Sequence, residues 1–182
     1  MSNPAAETAP SAPLSLSPRH ASRAGLMAFL DGLDIRTSTV DHPPIMTVDD
    51  GHQFWADIPG VHCKNLFLRD AKKQTWLVVA PIDRQIDLKT LPDRIGSKRL
   101  SFGSAERLVD MLGVFPGSVT PFSLINDRDA QAVRVVLDQW MMDQPLLNYH
   151  PLENTATTTI SNTDLLTFVR ACGHDPQIAA LA

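Results

Sequence analysis

Apolar residues recur every three or four positions in several segments of the chain, which is the spacing of one buried face of a helix. Leu26, Phe29 and Leu33 show this spacing after the helix-starting pair Ser17 and Pro18. Residues that can cap a helix precede the other segments of this kind. The pattern therefore predicts helices that begin near Ser17, Thr47, Asp87, Ser104 and Ser161.

Other segments alternate between apolar and polar residues or are apolar throughout, as strands are. "KNLFL" and "TWLVVAPI" flank the polar "RDAKKQ", which predicts a β-hairpin whose arms are apolar on both faces. Strands of this kind lie in a sheet that is covered from both sides. Further strands are predicted in "IRTSTVDH", "KRLSF", the apolar part of "PFSLIND", "AVRVVLDQW", "LLNYH" and "TATTTI".

Helices and strands are interleaved irregularly, and this predicts a mixed α+β fold. We expect a mixed, largely antiparallel β-barrel-like sheet surrounded by helices. A chain of 182 residues with 43% hydrophobic residues suits a single domain, which we place at residues 18–174. Residues 1–17 are rich in Ala, Pro and Ser and are predicted to be a disordered leader. Residues 175–182 are predicted to be a tail.

Charge and composition exclude several classes of function. The net charge of -4 provides no general attraction for duplex DNA. The longest purely apolar run, "WLVVAPI", is too short to span a bilayer, so we expect a cytoplasmic protein that does not bind membranes. Cys63 and Cys172 lie far apart in the sequence, as in proteins of reducing compartments.

Lys64 stands at the start of the first hairpin arm, on the same face as Leu66 and Leu68. If that face borders an apolar cavity, the ammonium group lies at its rim and can bind a phosphate or a carboxylate. A solvated strand end is the alternative interpretation.

A second candidate is the loop "GSVTP", which consists of Gly117, Ser118, Val119, Thr120 and Pro121. Glycine allows a close approach of the backbone, and free N–H groups in such a loop can stabilise an oxyanion. An ordinary turn is the alternative.

His150 is a third candidate, because it precedes a proline and a hydroxyl-rich stretch and can orient a polar substrate. It can equally be a structural residue. A metal site built from His52, Asp57 and His62 matches no compact ligand motif. We therefore expect no metal and no other cofactor.

Together, "GVHCKNLFLRD", "GSVTPF" and "HPLENTATTTIS" resemble the YbaK/ProX family of aminoacyl-tRNA deacylases, relatives of the editing domain of bacterial prolyl-tRNA synthetase. "KNLFL" is similar to the ProXp-ala (PrdX-like) branch in particular. The resemblance implies a trans-editing hydrolase that cleaves the ester of mischarged tRNA, most specifically alanyl-tRNA(Pro). It also implies the tRNA acceptor end as a partner, with prolyl-tRNA synthetase as a further candidate.

The resemblance implies roles for individual residues. Lys64 matches the lysine expected to contact the phosphate region of the terminal adenosine, and Asn65 follows it as in the motif. Gly117 and Pro121 match a GxxxP loop, and His150 matches the family histidine. The ribose hydroxyl of the substrate is the implied proton relay.

Ile45 and Met46, in "HPPIM", are predicted by family analogy to form a wall that excludes amino acids larger than alanine. Two other interpretations of the function stay open. They are a deacylase for cysteinyl- or seryl-tRNA, and a non-catalytic nucleic-acid-binding or regulatory module.

Overall fold

The structure is a computed structural model that describes residues 13–182. Residues 1–12 of the predicted leader lie outside the described residues, and residues 13–17 form no helix or strand. The helices are α1 (Arg23–Gly32), α2 (Val48–Trp55), α3 (Leu91–Ile95), α4 (Ala105–Leu112), α5 (Gln139–Met142) and α6 (Asn162–Ala171), with a 3-10 helix at Pro121–Asp127. The strands are β1 (Ser38–Asp41), β2 (Val61–Asp70), β3 (Thr75–Pro81), β4 (Leu100–Phe102), β5 (Val133–Asp138), β6 (Leu146–Tyr149), β7 (Ala156–Ser161) and β8 (Gln177–Ala179).

The strands form one mixed sheet, which confirms the predicted fold class. Within the described residues its order is β1-β7-β6-β2-β3-β5-β8, and β4 pairs with β2. The β1-β7, β6-β7, β2-β3 and β2-β4 pairs are antiparallel, whereas β2-β6, β3-β5 and β5-β8 are parallel. No helix in residues 13–182 is long and apolar enough to cross a lipid bilayer.

The hairpin of β2 and β3 lies between two apolar clusters. Leu77 and Val79 pack into the larger cluster, with residues of α1, α4 and α6. Trp76 and Val78 point to the opposite face and pack into a smaller cluster with residues of α3. Alternate side chains of one strand therefore enter different cores, as the doubly apolar sequence predicted.

Local hydrogen bonds confirm several predicted helix starts. Thr47 and Asp50 form a capping box at α2, in which each side chain accepts from the backbone N–H of the other. Ser104 and Ser161 are simple N-caps of α4 and α6. Each side chain accepts a hydrogen bond from the backbone N–H three residues later.

Other predicted boundaries were wrong. The first helix begins at Arg23 instead of following Ser17 and Pro18, because Ser22 accepts the capping bond from the amide of Gly25. The predicted strand in "PFSLIND" is the 3-10 helix. There Pro121 occupies the first turn and the Thr120 hydroxyl accepts from the amide of Phe122.

The predicted strand "AVRVVLDQW" ends early, at Asp138. The Asp138 carboxylate accepts a bond from the Met141 amide at 3.0 Å and so begins α5. Ordered structure also continues past the predicted domain boundary at residue 174, because β8 pairs with β5 and Leu181 is buried.

Candidate active site

A cavity of about 260 Å³ opens where β2, the segment before α2, the "GSVTP" loop and the end of β6 meet. Its lining includes most of the residues that the sequence marked as functional: Ile45, Met46, Lys64, Asn65, Gly117, Val119 and His150. Thr47, Val48, Trp55, Cys63 and Ile82 complete it. Elements far apart in the sequence thus bring the three candidate motifs to one place.

Lys64 lies in β2 opposite Ala80 of β3 and is half-buried. Its ammonium group donates a hydrogen bond to the backbone carbonyl of Arg84. Burial lowers the pKa of Lys64, and the nearby charge of Asp83 opposes that shift. No carboxylate in residues 13–182 forms an ion pair with Lys64. An anion bound in the cavity would supply the missing countercharge.

Asn65 follows Lys64 and points to the other face of β2, with Cys63 and Phe67. Its side-chain oxygen is buried and has no hydrogen-bond partner within residues 13–182. A buried acceptor without a donor costs about 1–3 kcal/mol. Because that oxygen has no exposed surface, it offers no direct contact to a molecule in the cavity.

The "GSVTP" loop contributes Gly117 and Val119 to the cavity lining. Gly117 has a φ of +91°, a conformation that favours glycine. The Ser118 amide donates to the carbonyl of Phe115 at 3.0 Å, so that donor is already used. The amides of Gly117 and Val119 have no acceptor within residues 13–182, and both residues line the cavity. These two N–H groups are suited to stabilise an oxyanion.

Ser118, Thr120 and Pro121 are buried and do not belong to the cavity lining. The Thr120 hydroxyl caps the 3-10 helix, and the Thr120 carbonyl accepts from Ser123. These contacts hold the loop, so the three residues position Gly117 and Val119 rather than contact the cavity themselves.

His150 follows β6, and its Nδ1 atom lies 2.9 Å from the carbonyl oxygen of Ala156. A carbonyl can only accept, so Nδ1 carries the proton and Nε2 is left as an acceptor. Burial lowers the pKa of His150, the hydrogen bond to the Ala156 carbonyl opposes that shift, and the neighbouring His42 adds to it. The neutral imidazole can accept a hydrogen bond from the attacking water or from the substrate ammonium group.

Because burial holds the pKa of His150 below the ordinary value of 6.5, the neutral imidazole is the main form at neutral pH. After subtraction of uncatalysed hydrolysis, we expect the rate of the ester hydrolysis that the motifs imply to decline on the acid side with a midpoint below pH 6.5. A pH-rate profile measures this. The decline should be absent in His150→Ala, and a midpoint above 6.5 in the wild type would contradict the assignment.

Ile45 and Met46 lie on the side of the cavity next to α2. Ile45 is buried, and its backbone is held in both directions by Asn154: the amide donates to the Asn154 carbonyl at 3.1 Å, and the carbonyl accepts from the Asn154 side chain at 3.2 Å. Met46 is 72% exposed and forms the rim. One face of the cavity is thus a fixed apolar wall.

The geometry supports neither Cys63 as a nucleophile nor a metal site at His52, Asp57 and His62. Burial raises the pKa of Cys63 to about 12, which disfavours the thiolate. The His62 ring stacks on Trp55 at 4.8 Å, and His52 meets the edge of the same indole. Within residues 13–182, no three His, Cys, Asp or Glu side chains are grouped so that they could hold a metal ion.

A cation without an ion pair, free amides and a neutral histidine around a small cavity suit hydrolysis of an ester that is attached to a phosphate-bearing group. The model of the aminoacyl-tRNA editing domain family matches residues 42–168. The chain therefore belongs to the aminoacyl-tRNA editing domain family. This confirms the resemblance seen in the motifs and the predicted class of enzyme, an aminoacyl-tRNA deacylase.

Two relatives and one solved structure agree with the family. The chain is 41% identical to the prolyl-tRNA editing protein ProX of Acetoanaerobium sticklandii, over 82% of this chain and 91% of that protein. It is 40% identical to the prolyl-tRNA synthetase associated domain-containing protein 1 of Mus musculus, over 86% of this chain and 94% of the relative. A solved structure described as a candidate trans-editing enzyme for prolyl tRNA synthetase shares the fold, with a TM-score of 0.64 and 17% identity, over 92% of this chain and 100% of that one.

Proposed function

We propose that this protein is a trans-editing enzyme that removes alanine from mischarged tRNA(Pro). The observation that carries the proposal is the convergence of Lys64, the amides of Gly117 and Val119, and His150 on one small cavity. The names of the ProX and prolyl-tRNA synthetase associated relatives support tRNA(Pro) as the nucleic acid and the synthetase as a partner.

In the proposed reaction a water oxygen bonds to the ester carbonyl carbon, and the carbonyl oxygen becomes negatively charged. The amides of Gly117 and Val119 stabilise this oxyanion. The bond between the carbonyl carbon and the ribose oxygen then breaks as the carbonyl re-forms, and the ribose oxygen takes up the proton that the water releases. Free alanine and tRNA with an intact terminal ribose are the products.

Positioning is the task of the side chains. Lys64 holds a phosphate of the acceptor end, which fixes the ester beside the loop. His150 accepts a hydrogen bond through Nε2 and so orients the water or the aminoacyl group. With no strong base in the cavity lining, the neighbouring ribose hydroxyl is the proposed proton relay.

Selection against proline depends on exclusion, because a methyl group offers little surface for attraction. A cavity of about 260 Å³ with the fixed Ile45 wall suits a small side chain. We assign the exclusion of the larger proline ring to the shape of the cavity beside Ile45.

Replacing Met46 or Ile45 by tryptophan should reduce deacylation of alanyl-tRNA, because the indole would fill the cavity. Met46→Trp is the cleaner variant, since Met46 is 72% exposed and its replacement disturbs no core. Initial rates measure the effect, with Ile178→Trp on β8 as a control outside the cavity. Equal rates for Met46→Trp and the wild type would show that Met46 does not belong to the wall that limits the size of the amino acid.

The experiment that tests the function is hydrolysis of a panel of labelled aminoacyl-tRNAs by the purified protein. The proposal expects turnover of alanyl-tRNA(Pro), with prolyl-tRNA(Pro) spared. Faster turnover of cysteinyl- or seryl-tRNA would reassign the substrate. Binding without turnover of any ester would show a non-catalytic module.

A further inference from the structure

A second and larger cavity, of about 560 Å³, borders the candidate active site. Trp55 and Ile82 line both cavities, so the two spaces share a wall. The volume lies within the range of roughly 300–1,000 Å³ that is typical of small-molecule sites. The proposed chemistry uses only the smaller cavity, which leaves the larger one without a role.

The outer side of this second cavity is built from Trp140 and Arg84. The Trp140 side chain is 46% exposed, and the Arg84 guanidinium carbon lies 5.7 Å from the centre of its ring. Arg84 Nε lies 4.0 Å from a carboxylate oxygen of Asp138, which is fully buried. Asp138 also accepts from the amides of Met141 and Leu181, so it is a fixed anchor. An exposed indole and a guanidinium are therefore held together at the cavity edge.

The inner side is aromatic as well. Trp55 stacks on His62 with ring centres 4.8 Å apart and planes 16° apart. Asp83 adds an exposed carboxylate to the lining. Aromatic rings and guanidinium planes are the groups on which unpaired nucleobases stack, and a carboxylate can accept from the exocyclic amine of cytosine or adenine.

Lys64 lines the smaller cavity and contacts a residue of the larger one. Its ammonium group donates to the backbone carbonyl of Arg84, the residue whose side chain lies over Trp140. A phosphate held by Lys64 would thus have the reaction cavity on one side and the Arg84-Trp140 pair on the other. Adjacent nucleotides of a single strand have this layout, with bases and phosphates a few ångströms apart.

We infer that the second cavity binds an unpaired nucleobase of the tRNA 3′ end, stacked on Trp140 beside Arg84. The inference rests on the proposed function for the identity of the nucleic acid. It assigns the binding of the tRNA end mainly to this cavity, and the selection of the amino acid to the smaller one.

Binding of the trinucleotide CpCpA, measured by isothermal titration calorimetry, tests the inference without requiring catalysis. Trp140→Ala should weaken binding about tenfold, since one stacked base contributes in that range. Arg84→Ala should also weaken it, whereas Trp140→Phe should retain most of the affinity. Phe102→Ala is the matched control, because Phe102 is an exposed aromatic residue (67%) outside both cavities.

Kinetics should show the same division. With alanyl-tRNA, Trp140→Ala should raise KM and leave kcat nearly unchanged. With an alanyl ester of methyl riboside, which keeps the neighbouring hydroxyl but has no base, the variant and the wild type should react equally. Circular dichroism checks that each variant is folded, and Arg84→Ala provides an independent test if Trp140→Ala is not.

The failure of the inference differs from the failure of the proposed function. If CpCpA binds in a Trp140-dependent manner and no aminoacyl-tRNA is hydrolysed, the nucleobase site stands and the proposed function fails. If alanyl-tRNA is hydrolysed while Trp140→Ala changes neither KM nor CpCpA affinity, the nucleobase site is refuted. Absence of CpCpA binding by the wild type at millimolar concentrations would also refute it.

Discussion

Replacement of Gly117 by alanine is expected to lower kcat for alanyl-tRNA hydrolysis by about 100-fold. Gly117 has a φ of +91°, which a residue with a Cβ atom rarely adopts. The space around it is open, so the added methyl group collides with nothing within 4 Å and the strain falls on the backbone alone. Relaxation of that strain rotates the peptide groups of the loop, and loss of one oxyanion donor costs about 10²- to 10³-fold in kcat.

Gly96→Ala is the matched control for this prediction. Gly96 also has a positive φ, +75°, and open space around it, but it ends α3 and does not line the cavity. Both variants should lose similar stability in thermal unfolding, and only Gly117→Ala should lose kcat. Equal kcat values for Gly117→Ala and the wild type would exclude the loop amides from catalysis.

Replacement of Lys64 by methionine is expected to lower kcat/KM for alanyl-tRNA by about 10- to 100-fold. Methionine keeps an unbranched apolar stem against the strand and removes the charge. A hydrogen bond to a charged group contributes about 1.5–3 kcal/mol, which corresponds to this loss. The effect should appear for tRNA and nearly vanish for an alanyl ester of methyl riboside, because this small ester keeps the neighbouring hydroxyl but has no phosphate.

Lys72→Met is the control for Lys64→Met. Lys72 lies in the turn of the same hairpin and is exposed, so its removal changes the net charge equally without touching the cavity. A uniform loss of activity in both variants would indicate a general effect of charge on tRNA binding. A loss confined to Lys64→Met, dependent on the phosphate, is the result expected from a specific contact.

The parts of the fold that the sequence predicted well are those decided by nearby residues. The β2-β3 hairpin follows from two apolar runs around a polar turn, and the α2 capping box needs only Thr47 and Asp50. The strand predicted in "PFSLIND" was wrong, because the apolar composition of this segment fits a buried strand and a buried 3-10 helix equally well. Strand β8 was not predicted, since its pairing with β5 depends on a contact between residues far apart in the sequence.

The candidate site shows the same division between local and tertiary information. Lys64, Gly117 and His150 could be marked from residue type and setting, and the cavity indeed joins them. Trp55 and Ile82 gave no signal beyond being apolar, although they separate the two cavities. The sequence could not predict that the Ser118 amide already has an acceptor, because its hydrogen bond goes to the backbone carbonyl of Phe115.

The most direct test of the central claim is the ratio of initial hydrolysis rates for alanyl-tRNA(Pro) and prolyl-tRNA(Pro), measured with the wild-type protein under identical conditions. The proposed small cavity with its cation and free amides predicts rapid loss of alanine and retention of proline close to the uncatalysed rate. Equal rates for the two esters, or no loss of alanine above the uncatalysed rate, would contradict the account.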